Sequence, residues 1–389
     1  MHETVKKILT AETLLREEHA RCDEAGQLSE RTARALRESG GIRLLQSRDH
    51  GGYEADLRDF YHWVRTTAQF NPSAGWVAGV VGVHPWEIAL CDEQLQSEIY
   101  GDDIDTWVAS PYAPFGRARP VEGGFLLSGE WPYSTGTDFC EWTVLGGMLT
   151  GADGEVPMPP DVRHFFLPRP DYEIVENSWN VMGLMGTGSK NIRVKDAFVP
   201  EYRTVGHVAM CEGEYIPRRP ETPMYHLPFG CVFSAAICSA TFGIARGTIE
   251  AYRSQLPSRV SVTGVTGTGD PFQQEALAAA EADLAAGIVH LDAMTVDMQA
   301  HVERGNPLTA DMRLEFRRNQ VRAIQRVLHS VDQLLWRAGS APIWSTKPIE
   351  RYWRDLRTAA THVCNVTDVI YAAWANEEFR LGGQINALY

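Results

Sequence analysis

The 389 residues predict an α+β chain in three blocks: helical, then antiparallel β, then helical again. Three observations carry this prediction. Apolar residues recur three and four apart through the N-terminal part, short β-branched and aromatic runs bounded by Gly, Pro, Asn and Asp take over at about 104, and long helical periodicity returns beyond Met224. The boundaries fall at 1–103, 104–205 and 206–389.

In the first block, VKKILTAETLL and RTARALRESGGIRLL read as helices, with Gly40 and Gly41 as a C-terminal stop to the second. NPSAGWVAGVVGVHPWEIAL follows, with Asn71 or Ser73 as its cap and small residues that let a neighbouring helix come close. The second block carries five strand candidates: TWVAS, GGFLLSGEWPYS, EWTVLGGML, RHFFLP and NIRVKDAFVP. In the third, Val321, Ile324, Leu328, Val331 and Leu335 share one helix face at heptad-like spacing. SVTGVTGTGD, 261–270, breaks two bundle helices and is open to two readings, a mobile loop or a phosphate cradle. HVAMCEGEYIPRRPETPMYHLPFG reads as a long Pro-rich lid.

Composition excludes several classes of function. A net charge of -14 from scattered acids, with no basic stripe, argues against nucleic acid and anionic membrane as partners. The longest apolar stretch, around WVAGVVGV, falls short of the roughly 20 residues of a membrane span, and the N-terminus has no apolar signal core, so a soluble cytoplasmic protein is expected. Seven cysteines without a CxxC pair read as reduced, packing thiols, and no ligand spacing joins the twelve histidines into a metal site.

The candidate site residues are ambiguous one by one. His84 in VGVHPWE and His362 in RTAATHV are each either a satisfied core histidine or an acid/base in a pocket wall. Arg351, Arg354, Asp355 and Arg357 read as an ion-paired helix face. GLMGTGSK, 183–190, lacks Walker spacing and precedes a strand rather than a helix, so a tight turn at a ligand's edge fits it better than a nucleotide loop. In WPYSTGTDFCEW, regular alternation puts Trp131, Tyr133 and Thr135 on one face and Pro132, Ser134 and Gly136 on the other. A flat ring beside a short hydroxyl can cradle a planar heteroaromatic cofactor.

Taken in order, VGVHPWEIAL, SPYAPFG, LSGEWPYSTG, GLMGTGSKNIRVKDAFVP and RYWRDLRTAATH resemble the oxygenase components of two-component flavin-dependent monooxygenases with an acyl-CoA dehydrogenase fold. The resemblance runs nearly end to end. Within that group the blocks are most similar to secosteroid hydroxylases and next to para-hydroxyphenylacetate hydroxylases. It implies a middle antiparallel β-barrel, a C-terminal four-helix bundle and a homotetramer. It also implies hydroxylation of a phenolic substrate by reduced flavin, FMNH2 or FADH2, and O2 through a flavin hydroperoxide. The reduced flavin would diffuse from a separate reductase, in keeping with the lack of a nicotinamide-binding unit here.

Residue by residue, the resemblance implies Thr135 at flavin N5, with Trp131, Tyr133 and Ser134 in the same wall. Trp76 and Ser110 would lie near flavin or substrate, His84 near the substrate hydroxyl, and His362 near the flavin's oxygen adduct. Arg259 resembles a phosphate-contacting arginine supplied by a neighbouring subunit, and Gly339, Ser340 and Ala341 a loop over the isoalloxazine edge. Tyr133 and Thr135 stand where the oxygenases usually carry Trp and Ser. Three alternatives remain at this point: an acyl-CoA dehydrogenase, with Glu377 or Glu378 as the base, an N- or S-oxygenase, and a non-catalytic scaffold.

Overall fold

A computed structural model describes residues 1–151, 153–261, 264–340, 344 and 347–381. Six helices open the chain: α1 (Glu3–Thr10), α2 (Glu12–Ala25), α3 (Glu30–Ser39), α4 (Leu57–Phe70), α5 (Pro72–Ile88) and α6 (Glu93–Tyr100). Gly40 ends α3 at φ 73°, a conformation that suits glycine at a helix C-terminus. Asn71, not Ser73, caps α5 by accepting the Ala74 N–H at 3.0 Å, and Pro72 fills the first turn, where no N–H partner is needed. Helix α5 is buried along its whole length. Its glycines permit this: a Cβ at Gly75 would lie 2.2 Å from the Ala68 backbone on α4.

Eight strands follow: β1 (Val108–Ala109), β2 (Gly116–Val121), β3 (Gly124–Ser134), β4 (Trp142–Leu149), β5 (Val162–Pro168), β6 (Glu173–Val175), β7 (Lys190–Pro200) and β8 (Thr204–Gly206). All five strand candidates are strands, and β2, β6 and β8 are additions. They form one sheet in the order β6-β7-β3-β2-β4-β5-β8, with β1 beside β4. This corrects the expected antiparallel barrel. Because β7 occupies one edge of β3, β4 lies beside β2, the strand before last, and pairs with it in parallel, as it does with β1. Among the described residues no pairing joins β6 to β8, so the sheet is open.

Helices α7 (His207–Glu212), α8 (Phe229–Gln255), α9 (Pro271–Glu303), α10 (Ala310–Arg337), α11 (Pro348–Ala360) and α12 (Asp368–Glu378) complete the chain. Val321, Ile324 and Val331 of α10 are buried, as the heptad face requires. Helix α8 packs against α9, α10 and α11, and α4 and α5 lie along it as well. The C-terminal helices share one core with the N-terminal layer; the sheet keeps its own core around Leu127, Trp131, Leu145, Phe165 and Ile192. The segment Phe229–Ser258 is long and apolar enough to cross a membrane, longer than the stretch picked out by sequence, but it is the buried centre of that helical core. Within segment 261–270, residues 262 and 263 lie outside the described residues; the rest holds the Thr266 side of a bridge to Val260 and a turn at Gly267–Gly269 leading into the Asp270 cap of α9.

Candidate active site

The helical core and the sheet meet around a cavity of about 450 Å³. Helix α5 supplies Trp76 and Val80; the chain after β1 supplies Ser110, Pro111 and Tyr112; the end of β3 supplies Tyr133 and Thr135. The GLMGTGSK turn contributes Leu184 and Ser189, and the C-terminal helices contribute Phe233, Thr358 and His362. No carboxylate lines this cavity among the described residues.

The β3 end departs from regular alternation. A register shift between Trp131 and Ser134 and a left-handed φ of 67° at Tyr133 turn the chain over, as a bulge does. Trp131 therefore faces the sheet core, with its Nε1–H donating to Gly146 O at 2.7 Å, and does not reach the cavity. Ser134 is buried away from the cavity too, and its hydroxyl has no protein partner. Tyr133 stands 67% exposed at the mouth, edge-on to Trp179 at 6.1 Å. Thr135 is buried in the wall, and its hydroxyl shares a hydrogen bond of 2.9 Å with Ser189, which bonds Thr187 at 2.8 Å. Of the four residues that the resemblance put in the flavin wall, Tyr133 and Thr135 line the cavity and Trp131 and Ser134 do not.

The GLMGTGSK turn is held from behind. Asp355 accepts the Leu184 N–H at 2.5 Å and binds His19 Nε2 at 2.8 Å, while Asp23 accepts the Gly186 N–H at 3.3 Å. These three buried side chains cluster as metal ligands can, although no sequence spacing announced them. Arg351 lies 3.6 Å from the Asp23 carboxylate, so a protein cation already faces it. Burial, then the neighbouring Asp355, push the Asp23 carboxyl up to about 6. Asp355 and Arg351, read by sequence as a surface ion-pair face, thus belong partly to this anchor, whereas Arg354 and Arg357 do pair with Glu350 and Asp332.

His84 lies behind the wall. Its Nδ1 is 2.5 Å from Val108 O, which can only accept, so Nδ1 carries the proton of the neutral ring. Nε2 is then an acceptor, and the Ser110 hydroxyl donates to it at 2.5 Å. Burial lowers the His84 pKa to about 4, so the ring is neutral at pH 7. Ser110 lines the cavity and His84 does not; the imidazole reaches a cavity ligand only through that hydroxyl.

His362 faces the cavity directly. Its Nδ1 accepts the Cys364 N–H at 3.2 Å, leaving Nε2–H as the free donor of a neutral ring. Burial, then the Arg317 guanidinium, lower its pKa to about 4. Trp76 meets its edge at 5.5 Å and Phe233 at 6.1 Å.

Arg259 and Gly339 sit together elsewhere. Arg259 Nη1 donates to Arg337 O at 2.5 Å, and a Cβ on Gly339 would come within 2.9 Å of the Arg259 guanidinium. Gly339 lines a second, more open cavity of about 710 Å³ with Trp336, Trp353, Arg354 and Arg357. Ser340 is exposed, and Ala341 lies outside the described residues. The 205–230 segment, expected as a lid over the site, contributes no residue to the first cavity and is anchored by buried Met210, Cys211, Met224 and Tyr225.

Sequence reasoning missed Tyr112, whose hydroxyl donates to Glu87 at 2.5 Å, and the pair His164 and His207 beyond it. One signal was available: Glu87 is a lone acid in an apolar helix, where an unpaired charge is rarely buried.

A family model described as acyl-CoA dehydrogenase, C-terminal domain, matches residues 235–366. The chain is 40% identical to a pigment production hydroxylase of Rhodococcus erythropolis, over 90% of each chain. It is 35% identical to the flavin-dependent monooxygenase oxygenase subunit HsaA of Rhodococcus jostii, over 94% of this chain and 96% of that one. Among solved structures, 3-HSA hydroxylase from Rhodococcus sp. RHA1 superposes with a TM-score of 0.92 at 33% identity, covering 100% of this chain and 99% of the other.

Proposed function

The chain belongs to the family of flavin-dependent monooxygenase oxygenase subunits with an acyl-CoA dehydrogenase-like fold, and on that premise we propose that it hydroxylates a phenolic substrate in the first cavity. It is an aromatic hydroxylase working with reduced flavin and O2, the flavin being reduced by a separate component. The cavity volume is within the range of small-ligand sites.

One observation carries the reading: a cavity without carboxylates has a hydroxyl backed by a neutral imidazole on one wall, and a hydroxyl and an imidazole N–H on the others. The donor set fits an isoalloxazine ring, with Thr135 hydrogen-bonding at its edge, Tyr133 at the mouth and Trp76 beside His362. When bound, reduced flavin supplies the electrons that activate O2. Thr135, oriented by Ser189, holds a hydrogen bond where water must be kept out. His362 Nε2–H offers a proton to an oxygen placed before it. Ser110 receives the phenol, and His84 behind it withdraws proton density, raising phenolate character and so the nucleophilicity of the ring.

An acyl-CoA dehydrogenase needs a carboxylate base in the cavity wall; Glu377 and Glu378 of α12 do not line it. We further propose a homotetramer, in which a neighbouring copy brings Arg259, Gly339 and Ser340 to the flavin, since within one chain they stand apart from Thr135 and His362. Exposed Trp336, at 81%, and Trp344, at 63%, offer apolar surface beside that loop for such a contact. Seven buried, unpaired thiols suit a cytoplasmic location.

The test is a screen of phenols with FMNH2 or FADH2 generated by any reductase, reading product mass. A gain of one oxygen in a phenol is expected. Oxygenation confined to amines or thiophenes, or no reduced-flavin-dependent product at all, would defeat the proposal.

A further inference from the structure

Behind the phenol side of the cavity runs a second set of buried polar groups that substrate hydroxylation by Ser110 and His84 leaves unused. Tyr112, at the cavity wall, donates its hydroxyl proton to Glu87 Oε2 at 2.5 Å. Glu87 Oε1 lies 2.5 Å from His164 Nδ1, and His164 Nε2 lies 2.9 Å from His207 Nδ1. Glu87 and His164 are completely buried, while His207, the first residue of α7, is partly open to solvent with Cys211 Sγ 3.9 Å from its Nε2. The groups thus form one file from the cavity to the surface. Burying a carboxylate and two imidazoles beside a dry cavity is costly, and apolar packing would serve stability at least as well.

We propose that Tyr112, Glu87, His164 and His207 are a proton-release path, carrying the substrate's phenolic proton out of the cavity to solvent. The inference rests on the hydroxylase reading above. The path requires Glu87 to start as a carboxylate, hydrogen-bonded by both Tyr112 and His164, and the His164 ring to enter with a proton on each nitrogen. The phenol O–H bond breaks and its proton joins Tyr112 Oη, while the Tyr112 proton passes to Glu87 Oε2. The proton between Glu87 Oε1 and His164 Nδ1 stays in that bond. His164 gives its Nε2 proton to His207 Nδ1, and His207 gives its Nε2 proton to water. One proton has entered and one has left, the Glu87–His164 pair keeps its charge, and the substrate remains as phenolate.

The electrostatics agree with these states. Burial alone would raise the Glu87 pKa, but the His164 charge and the bonds from His164 and Tyr112 outweigh it and hold it down. Burial, then the His164 charge, lower His207 to about 4, leaving a neutral ring able to accept.

Two measurements test the path. In proton NMR of the flavin-free protein, the Glu87–His164 bond is expected to give a far-downfield resonance that moves upfield in Glu87→Gln. In single-turnover hydroxylation of the phenol found by the screen above, His207→Ala and Tyr112→Phe are expected to slow product formation roughly 100-fold, the low end for a lost proton-transfer group, and to change the solvent deuterium isotope effect. Millimolar imidazole restores His207→Ala, where the gap opens to solvent, and not Tyr112→Phe. Absence of the resonance, or wild-type rates and isotope effects in both variants, or failure of imidazole to restore His207→Ala, overturns the path. Wild-type protein that hydroxylates no phenol overturns the hydroxylase reading instead, and the resonance still decides whether the chain of bonds exists.

Discussion

Replacing Ser110 with alanine cuts the only hydrogen bond by which His84 reaches the cavity. The Val108 carbonyl still fixes the His84 tautomer, so the imidazole stays in place with an unpaired Nε2. Loss of an acid or base partner typically slows a reaction about 100- to 10,000-fold, or about 3–5 kcal/mol of barrier. Because His84 acts through Ser110, Ser110→Ala and His84→Ala are expected to lower product formation by similar factors, and the double variant to do no worse than the weaker single one. Leaving Nε2 unsatisfied costs roughly 1–3 kcal/mol of stability, so thermal melts accompany the kinetics to separate the two effects. The assay is hydroxylated product per reduced flavin in a single turnover. Multiplicative losses in the double variant, or a Ser110→Ala protein with wild-type product yield, would refute the reasoning.

Thr135→Val, which keeps the shape of the wall but deletes its hydroxyl, is expected to raise hydrogen peroxide released per O2 consumed; an unchanged ratio would remove Thr135 from its role. Asp355→Ala strips the partner from both the Leu184 N–H and His19, so its melting temperature should fall further than that of Asp355→Asn, and equal melts would contradict the anchor. On acidification from pH 7 to 4.5, the denaturant midpoint should drop. His84, His207 and His362 sit near 4 in the folded chain, below the ordinary 6.5, so the unfolded chain binds more protons between those values and stability rises with pH across that window. His84 alone contributes on the order of 3 kcal/mol. Asp23 and Asp105, each raised to about 6 by burial, work in the opposite direction between 3.8 and 6, but two groups do not cancel three. A midpoint that is flat over this range would exclude the buried neutral histidines.

Much of the architecture was legible because it is written locally. The Asn71 cap, the Gly40 stop and the five strand runs depend on neighbours a few residues away, and all are in place. Sheet order was not legible: whether β4 lies beside β2 or β3 depends on β7, which enters some forty residues later and takes the free edge of β3. Thr135 and Tyr133 were found through the motif, but strict alternation failed at Trp131 because nothing in WPYSTG announces a left-handed tyrosine. Ser110 and His84 were both named, yet their serial arrangement was hidden, since 26 residues separate them and only the approach of β1 to α5 joins them. Glu87, His164 and His207 come from three distant segments, and no spacing connects them.

The site draws its walls from two separately packed cores. Thr135 and Tyr133 are carried by the sheet, and Trp76, Phe233, Thr358 and His362 by the helices. Substitutions at Phe233, Thr358 or Val363 can therefore reshape the space for an aromatic guest without disturbing the Thr135–Ser189 hydrogen bond on the opposite wall. On the proposed roles, the space for the guest can drift without moving Thr135, so a lineage using this scaffold can change what it oxidises while that hydroxyl stays in place.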